Sequence, residues 1–182
     1  MIKGAKDIID ACCMQFDAYL SDQHIIIFMD NIVEGSETMN IQKFTQKSIE
    51  AVNDCEKLAY DYGNQEIEQE HLLVALLSQE DGLIPKLIDK MEINVEHFTE
   101  NAKRHLAART KVSGSSAQVY VGNDLNKVLI HAEDEAKAMG DEYVSVEHLF
   151  LCLLKYPNKA MKELIKAVSY THLRAHETLS DL

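Results

Sequence analysis

Chain breakers and large aromatic residues are scarce. The 182 residues include two prolines, seven glycines and no tryptophan. A sandwich or barrel of short strands needs turn signals roughly every 8–12 residues. This inventory cannot supply them, and it suits an all-α domain. Positive charge is also short: 18 Lys and Arg stand against 30 Asp and Glu, for a formal net charge of -12. An acidic surface repels phosphate backbones, so nucleic acid is not an expected partner. No run of about 18 apolar residues occurs, so neither a membrane span nor a membrane partner is expected. The first residues lack a basic stretch followed by an apolar one, and no secretory leader is expected. The four cysteines (Cys12, Cys13, Cys55 and Cys152) have no ligand-like spacing. They read as reduced thiols of a cytoplasmic protein, with no metal site. What the chain does have is 46% hydrophobic and 26% charged residues, the balance of a folded domain with a real core.

It also has an internal repeat. Residues 63–77 read GNQEIEQEHLLVALL and residues 140–154 read GDEYVSVEHLFLCLL. Glu70-His71-Leu72 falls on Glu147-His148-Leu149, an offset of 77 positions. The register holds upstream, from Ala59 to Ala136, and downstream, from Leu87-Ile88 to Leu164-Ile165. Such a repeat is one structural unit built twice. Two copies are too few for a solenoid, so each is expected to cover the other's apolar face.

Helical periodicity runs through both copies. Phe44, Ile49, Val52, Cys55, Leu58 and Ala59 mark a first helix, with Thr45 as its cap and Gly63 as its left-handed stop. Leu72, Leu73, Leu76 and Leu77 mark a second. Leu83, Leu87 and Ile88 mark a short third, with Pro85 tolerable in its first turn. Asn94 caps a fourth, reaching about Arg109. The Ser-rich segment 110–121, with Gly114, reads as a linker. Asp124 opens the second copy, whose first helix carries Leu125, Leu129, Ala132 and Ala136 and stops at Gly140. Ser145 caps the next, with Glu147 near its positive end. A last helix is expected over about 158–166.

The flanks lie outside this pattern. Residues 1–38 are read as an extension, disordered or translated from upstream sequence, with Met39 the expected start. Within it, residues 5–20 could form a helix and Ile25–Met29 a strand. The tail from Ala167 to Thr178 (AVSYTHLRAHET) resembles the translation of a transposase adapter used in sequencing libraries, and residues 167–182 are set aside. The domain is expected over 39–166, with repeat one about 41–109 and repeat two about 122–166.

The opening MNIQKFTQKSIEAV, the motif IEQEHLLVALL, the KVSG before the second copy and GDEYVSVEHLFLCLL together resemble the N-terminal domain of the Clp ATPases, the ClpB-type disaggregases in particular. The related ClpC proteins usually carry Gly-Thr-Glu-His in each copy. Here Gln69-Glu70-His71 and Val146-Glu147-His148 stand instead. The resemblance implies a pseudo-twofold helical module made of two four-helix-type repeats. It implies a parent protein that is a hexameric motor using ATP and Mg, and a module that engages unfolded or aggregated clients, with chaperone or adaptor partners possible. No GxxxxGK[ST] loop is present, so no cofactor and no ATP hydrolysis are expected of this chain itself.

Carried over residue by residue, the resemblance places client binding at Thr45, Asp141 and Glu147. Capping explains the same residues, and the two roles are compatible. Val128, Leu129, Tyr143 and Phe150 are candidate apolar lining, with core packing as the competing reading. His131, Glu135 and His148 hold a stripe that relatives often fill with apolar residues. In the alternative, ClpC-like reading, Glu70 and Glu147 form a symmetric pair that docks adaptors or phosphoarginine. His71 and His148 recur at matching sites, which points to a structural role. Cys55 and Cys152 lie on apolar helix faces, so hydrolase chemistry is not expected.

Overall fold

Two helices of 17 residues end in the same way, 77 positions apart. Gln46–Tyr62 (α1) stops at Gly63 and Asn123–Met139 (α5) stops at Gly140, with φ of 69° and 79°. Beyond each glycine the chain folds back: Asn64 N–H bonds Ala59 O at 2.8 Å and Asp141 N–H bonds Ala136 O at 2.9 Å. This is the six-to-one closure that a left-handed glycine permits. The computed structural model describes residues 41–111 and 119–168. The 1–38 extension, most of the tail and the middle of the linker lie outside them.

A 3-10 turn over Ile41–Lys43 leads into α1. Then follow β1 (Glu66–Ile67), α2 (Gln69–Ser78), α3 (Leu83–Lys90), α4 (Val95–Ala108), β2 (Tyr120–Val121), α5, and α6 (Val146–Lys155). A last helix, α7, runs over 159–168. α2 and α6 lie 77 positions apart, as do α1 and α5. The expected caps are present: Thr45 Oγ1 accepts from Ser48 N–H at 3.4 Å, Asn94 Oδ1 accepts from His97 N–H at 2.7 Å, and Ser145 caps α6 in a capping box with His148. Asn158, not singled out as a cap, also accepts from Met161 N–H at 2.8 Å. The second copy's first helix starts one residue before Asp124, after Gly122.

The linker's last residues are a strand, which the Ser-rich composition did not indicate. β2 pairs in parallel with β1, Glu66 against Tyr120 and Ile67 against Val121. Across the molecule Phe44 pairs in parallel with Val144. Position 44 is the twin of 121, and 67 is the twin of 144. So the segment before each copy's first helix pairs with the segment before the other copy's second helix. The single bonds match too: Thr45 N–H to Val144 O at 2.9 Å, and Gly122 N–H to Ile67 O at 2.8 Å. This reciprocal exchange is an approximate dyad.

The dyad sets the core. α1 packs on α2 and α5 on α6, while α2 also touches α5 and α6, and α6 touches α1. Leu72 and Leu149 are both fully buried, with Val52, Leu76, Leu129 and Leu153 around the same centre. α4 covers α2. Its twin would begin at position 172, outside the described residues.

Candidate functional site

The starts of α2 and α6 are built alike, from a histidine three residues into each. His71 Nδ1 accepts from Glu68 N–H at 3.0 Å, and His148 Nδ1 accepts from Ser145 N–H at 3.0 Å. Each ring therefore carries its proton on Nε2, aimed at the loop after the preceding helix. His71 Nε2 meets Asn64 Oδ1 at 3.1 Å, and His148 Nε2 lies 3.2 Å from Asp141 Oδ2. Asn64 and Asp141 are themselves twins. Both rings are fully buried. Burial, with the Arg109 charge adding to it, pulls His71 down to about 4, against the opposing pull of Glu70. The recurring histidines are thus helix-start locks, which matches the structural role expected of them. His148 does not belong to an exposed stripe: it is core, with Nδ1 hydrogen-bonded at the head of α6 and Nε2 buried 3.2 Å from Asp141 Oδ2 without a hydrogen bond.

Beyond these locks the two halves diverge. In the first copy, the notch at the head of α2 is filled. Glu70 is buried, with Oε1 at 2.9 Å from the Arg109 guanidinium and Oε2 accepting from Asn158 Nδ2 at 2.9 Å. Arg109 also reaches Glu66 Oε2 at 3.6 Å. Beside it Gln69 donates to the carbonyls of Asp124 and Tyr156 and accepts from Asn158 N–H. One side chain thus satisfies three backbone groups of the other copy. Arg109 did not stand out in the sequence, and Gln69 did so only as a departure from the ClpC motif, where it falls on Val146 of the second copy.

In the second copy nothing fills the matching notch among the described residues. Thr45 is buried, its hydroxyl 2.9 Å from Ser48 Oγ, and Ser48 Oγ donates to Val144 O at 2.9 Å. Val144 and Ser145 carry the chain into α6, so the fold brings Thr45 alongside the residues that flank Tyr143 and Glu147. Tyr143 and Glu147 are partly exposed, and the Asp141 side chain is 45% exposed. Among the described residues none hydrogen-bonds or ion-pairs with Glu147. Two expected lining residues are elsewhere: Val128 is 0% and Phe150 6% exposed, so both pack the core, as does Leu129. They sit on α5 and α6, both of which pack against α2 of the other copy. On the outer face of α5, His131 stacks on Tyr156 with centroids 4.4 Å apart, and Glu135 pairs with Lys155 at 2.6 Å.

The symmetric Glu70–Glu147 pair is not formed as such. The dyad relates their positions, but Glu70 already holds a guanidinium while Glu147 holds none among the described residues. Cys55 and Cys152 are buried, and burial raises both thiols, Cys152 to about 11. Neither is a thiolate near neutral pH. Among the described residues no group of three His, Cys, Asp or Glu could hold a metal ion, and no helix is long and apolar enough to cross a membrane.

Comparison with known proteins places this arrangement. Residues 43–168 match the family described as the Clp repeat (R) N-terminal domain. A ClpB chaperone of Nitratidesulfovibrio vulgaris is 46% identical over 122 residues, covering 65% of this chain and 14% of that protein. The chain therefore spans about a seventh of the length of such relatives. Among solved structures, the Hsp104 N-terminal domain from Candida albicans superposes with a TM-score of 0.63 at 21% identity, over 70% of this chain and 82% of that one. A ClpV N-domain in complex with a VipB peptide superposes with a TM-score of 0.56 at 16% identity, over 70% and 80%. At these identities the two structures speak for the fold alone.

Proposed function

The chain belongs to the Clp repeat (R) N-terminal domain family, and on that premise we propose that it is the client-engaging module of a ClpB-type chaperone whose motor lies outside it. The observation that carries the reading is the unequal filling of two equivalent notches. The first copy's notch is closed by Arg109 and Asn158. The second presents Asp141, Tyr143 and Glu147 over a rigid floor made by Thr45, Ser48 and Val144. A half-exposed aromatic beside carboxylates suits weak, mixed contacts with extended segments, including basic side chains. The ClpV N-domain of the solved complex holds a peptide, and a peptide is the class of partner proposed here. Weak capture near a tethered motor raises local client concentration, and it leaves release into the motor easy. Clients are unfolded protein segments, and ATP and Mg belong to the parent's motor.

The test is binding of a reduced, alkylated and permanently unfolded protein, read by fluorescence anisotropy. Tyr143→Ala and Glu147→Ala are surface changes that leave the locks intact. Each is expected to weaken binding by roughly 5–10-fold. Unchanged affinity in both, with binding retained, would place the client elsewhere.

A second reading, docking of phosphoarginine-tagged proteins or adaptors, draws support from Glu70, whose carboxylate takes a guanidinium at 2.9 Å. Among the described residues Glu147 has no guanidinium partner, so one site and not two would serve. A phosphoarginine peptide that outcompetes its unmodified arginine twin at this module would favour that reading over the first.

A further inference from the structure

The two seams of the dyad differ at one residue. Where the second copy has Ser145 at the head of α6, the first has Glu68 at the head of α2. Glu68 is 8% exposed, and its Oε2 is buried without a hydrogen-bond partner. It lies against Gly122, the residue joining β2 to α5. A Cβ at position 122 would collide with Glu68 Oε1 and Cδ, so the carboxyl keeps this place only beside a glycine. The opposite seam has Thr45 there, and it has room for a side chain.

The charges around Glu68 are mostly of its own sign. Glu66 comes from β1, Glu70 and His71 from α2, Asp124 from α5, and Arg109 from the end of α4. His71 turns an unprotonated nitrogen to the Glu68 backbone, and Arg109 is engaged by Glu70 and Glu66. A buried, partly unpartnered carboxylate among three others is costly when ionised and cheap when protonated.

We propose that Glu68 is a proton-operated latch on the β1–β2 seam: with its carboxyl protonated the seam closes over it, and on ionisation β2 and the first turn of α5 loosen from β1. Burial first, then Glu66 and Glu70, raise this carboxyl to about 7. In an opened seam it returns toward its ordinary value of 4.5. Opening therefore becomes easier as pH rises from about 4.5 to about 7, and it changes little above that. The twin seam has a hydroxyl, Ser145, in place of this carboxyl and serves as a control inside the same molecule.

The experiment is amide hydrogen exchange of the whole chain between pH 5 and pH 8, with intrinsic exchange chemistry divided out. The reporters are Tyr120 N–H on Gln65 O and Gly122 N–H on Ile67 O. The controls are Thr45 N–H on Val144 O and Val144 N–H on Lys43 O. Protection of the reporters is expected to fall on the order of tenfold or more between pH 5 and pH 7, while the controls stay level. Glu68→Gln should abolish the fall. Glu68→Ser, which copies the twin seam, should do the same if the Gln variant folds poorly. Equal slopes in wild type and both variants, or reporters no steeper than controls, would overturn the proposal.

Discussion

A histidine that accepts a backbone N–H at one nitrogen and donates to a loop at the other is useful only while neutral. His71 holds Glu68 N–H and Asn64 in this way. Its free value is 6.5, and the fold lowers it to about 4. The sign follows directly: the unfolded chain takes up the proton first as pH drops. The stability due to neutral His71 is complete above about 6.5 and fades as pH falls toward 4. Glu68 acts in the opposite sense over an overlapping window, since its raised carboxyl makes the fold weaker as pH rises from 4.5 to 7. In wild type the two slopes offset each other in global melting, which is why local exchange is the informative probe of the seam. With Glu68→Gln as background, the His71 slope stands alone. There the melting temperature should climb between pH 4.5 and 6.5, and a further His71→Gln change should flatten that climb. Removing either lock altogether, His71→Ala or His148→Ala, should cost about 1–3 kcal/mol in denaturant melts, because a buried backbone N–H loses its acceptor.

At the scale of elements, what could be read ahead was whatever depends on neighbours in the chain. The left-handed glycines, the Thr45 and Asn94 caps and the lengths of α1 and α5 all follow from residues within four positions. The repeat carried this further, because one helix assignment served twice. The seams were not legible. β1 and β2 are two residues each, too short for an alternating pattern, and their partners are about 54 positions apart, as Glu66 and Tyr120 are. For the same reason Arg109 gave no sign of closing on Glu70, nor Gln69 of reaching Tyr156. Val128 and Phe150 were misplaced because a helix face looks equally apolar whether it meets solvent or a second copy of itself. One consequence of the seam belongs at this scale. Gly122→Ala forces a methyl against the Glu68 carboxyl and should destabilise the fold. Pairing it with Glu68→Ser removes the obstacle and recreates the Ser145–Thr45 geometry. The double variant should be more stable than Gly122→Ala alone, with a coupling energy on the order of 1–3 kcal/mol in a double-mutant cycle. Additive effects would mean that the two residues do not oppose each other across the seam.

For the whole molecule, the question is where the dyad holds and where it lapses. It holds at the centre, where Leu72 and Leu149 are both at 0% exposure between helices from both copies. It lapses at the periphery. Leu77 is 5% exposed while its twin Leu154 is 41% exposed. α4 packs on α2, the helix that carries Leu77, and among the described residues no helix takes the matching place on α6. Four alanine substitutions turn this into a measurement. Leu72→Ala and Leu149→Ala each delete a buried side chain from the shared core, and each should cost about 2–5 kcal/mol, with the two values close to one another. Leu77→Ala should cost a similar amount. Leu154→Ala should cost less than about 1 kcal/mol, since its side chain is already half in water. Urea melts of the four variants with a common slope would give these differences directly. Equal costs at 72 and 149 with unequal costs at 77 and 154 are what a central dyad and the unequal exposures of Leu77 and Leu154 require. A large gap between the first two would mean that the copies do not share one core, and the comparison of their notches would lose its basis.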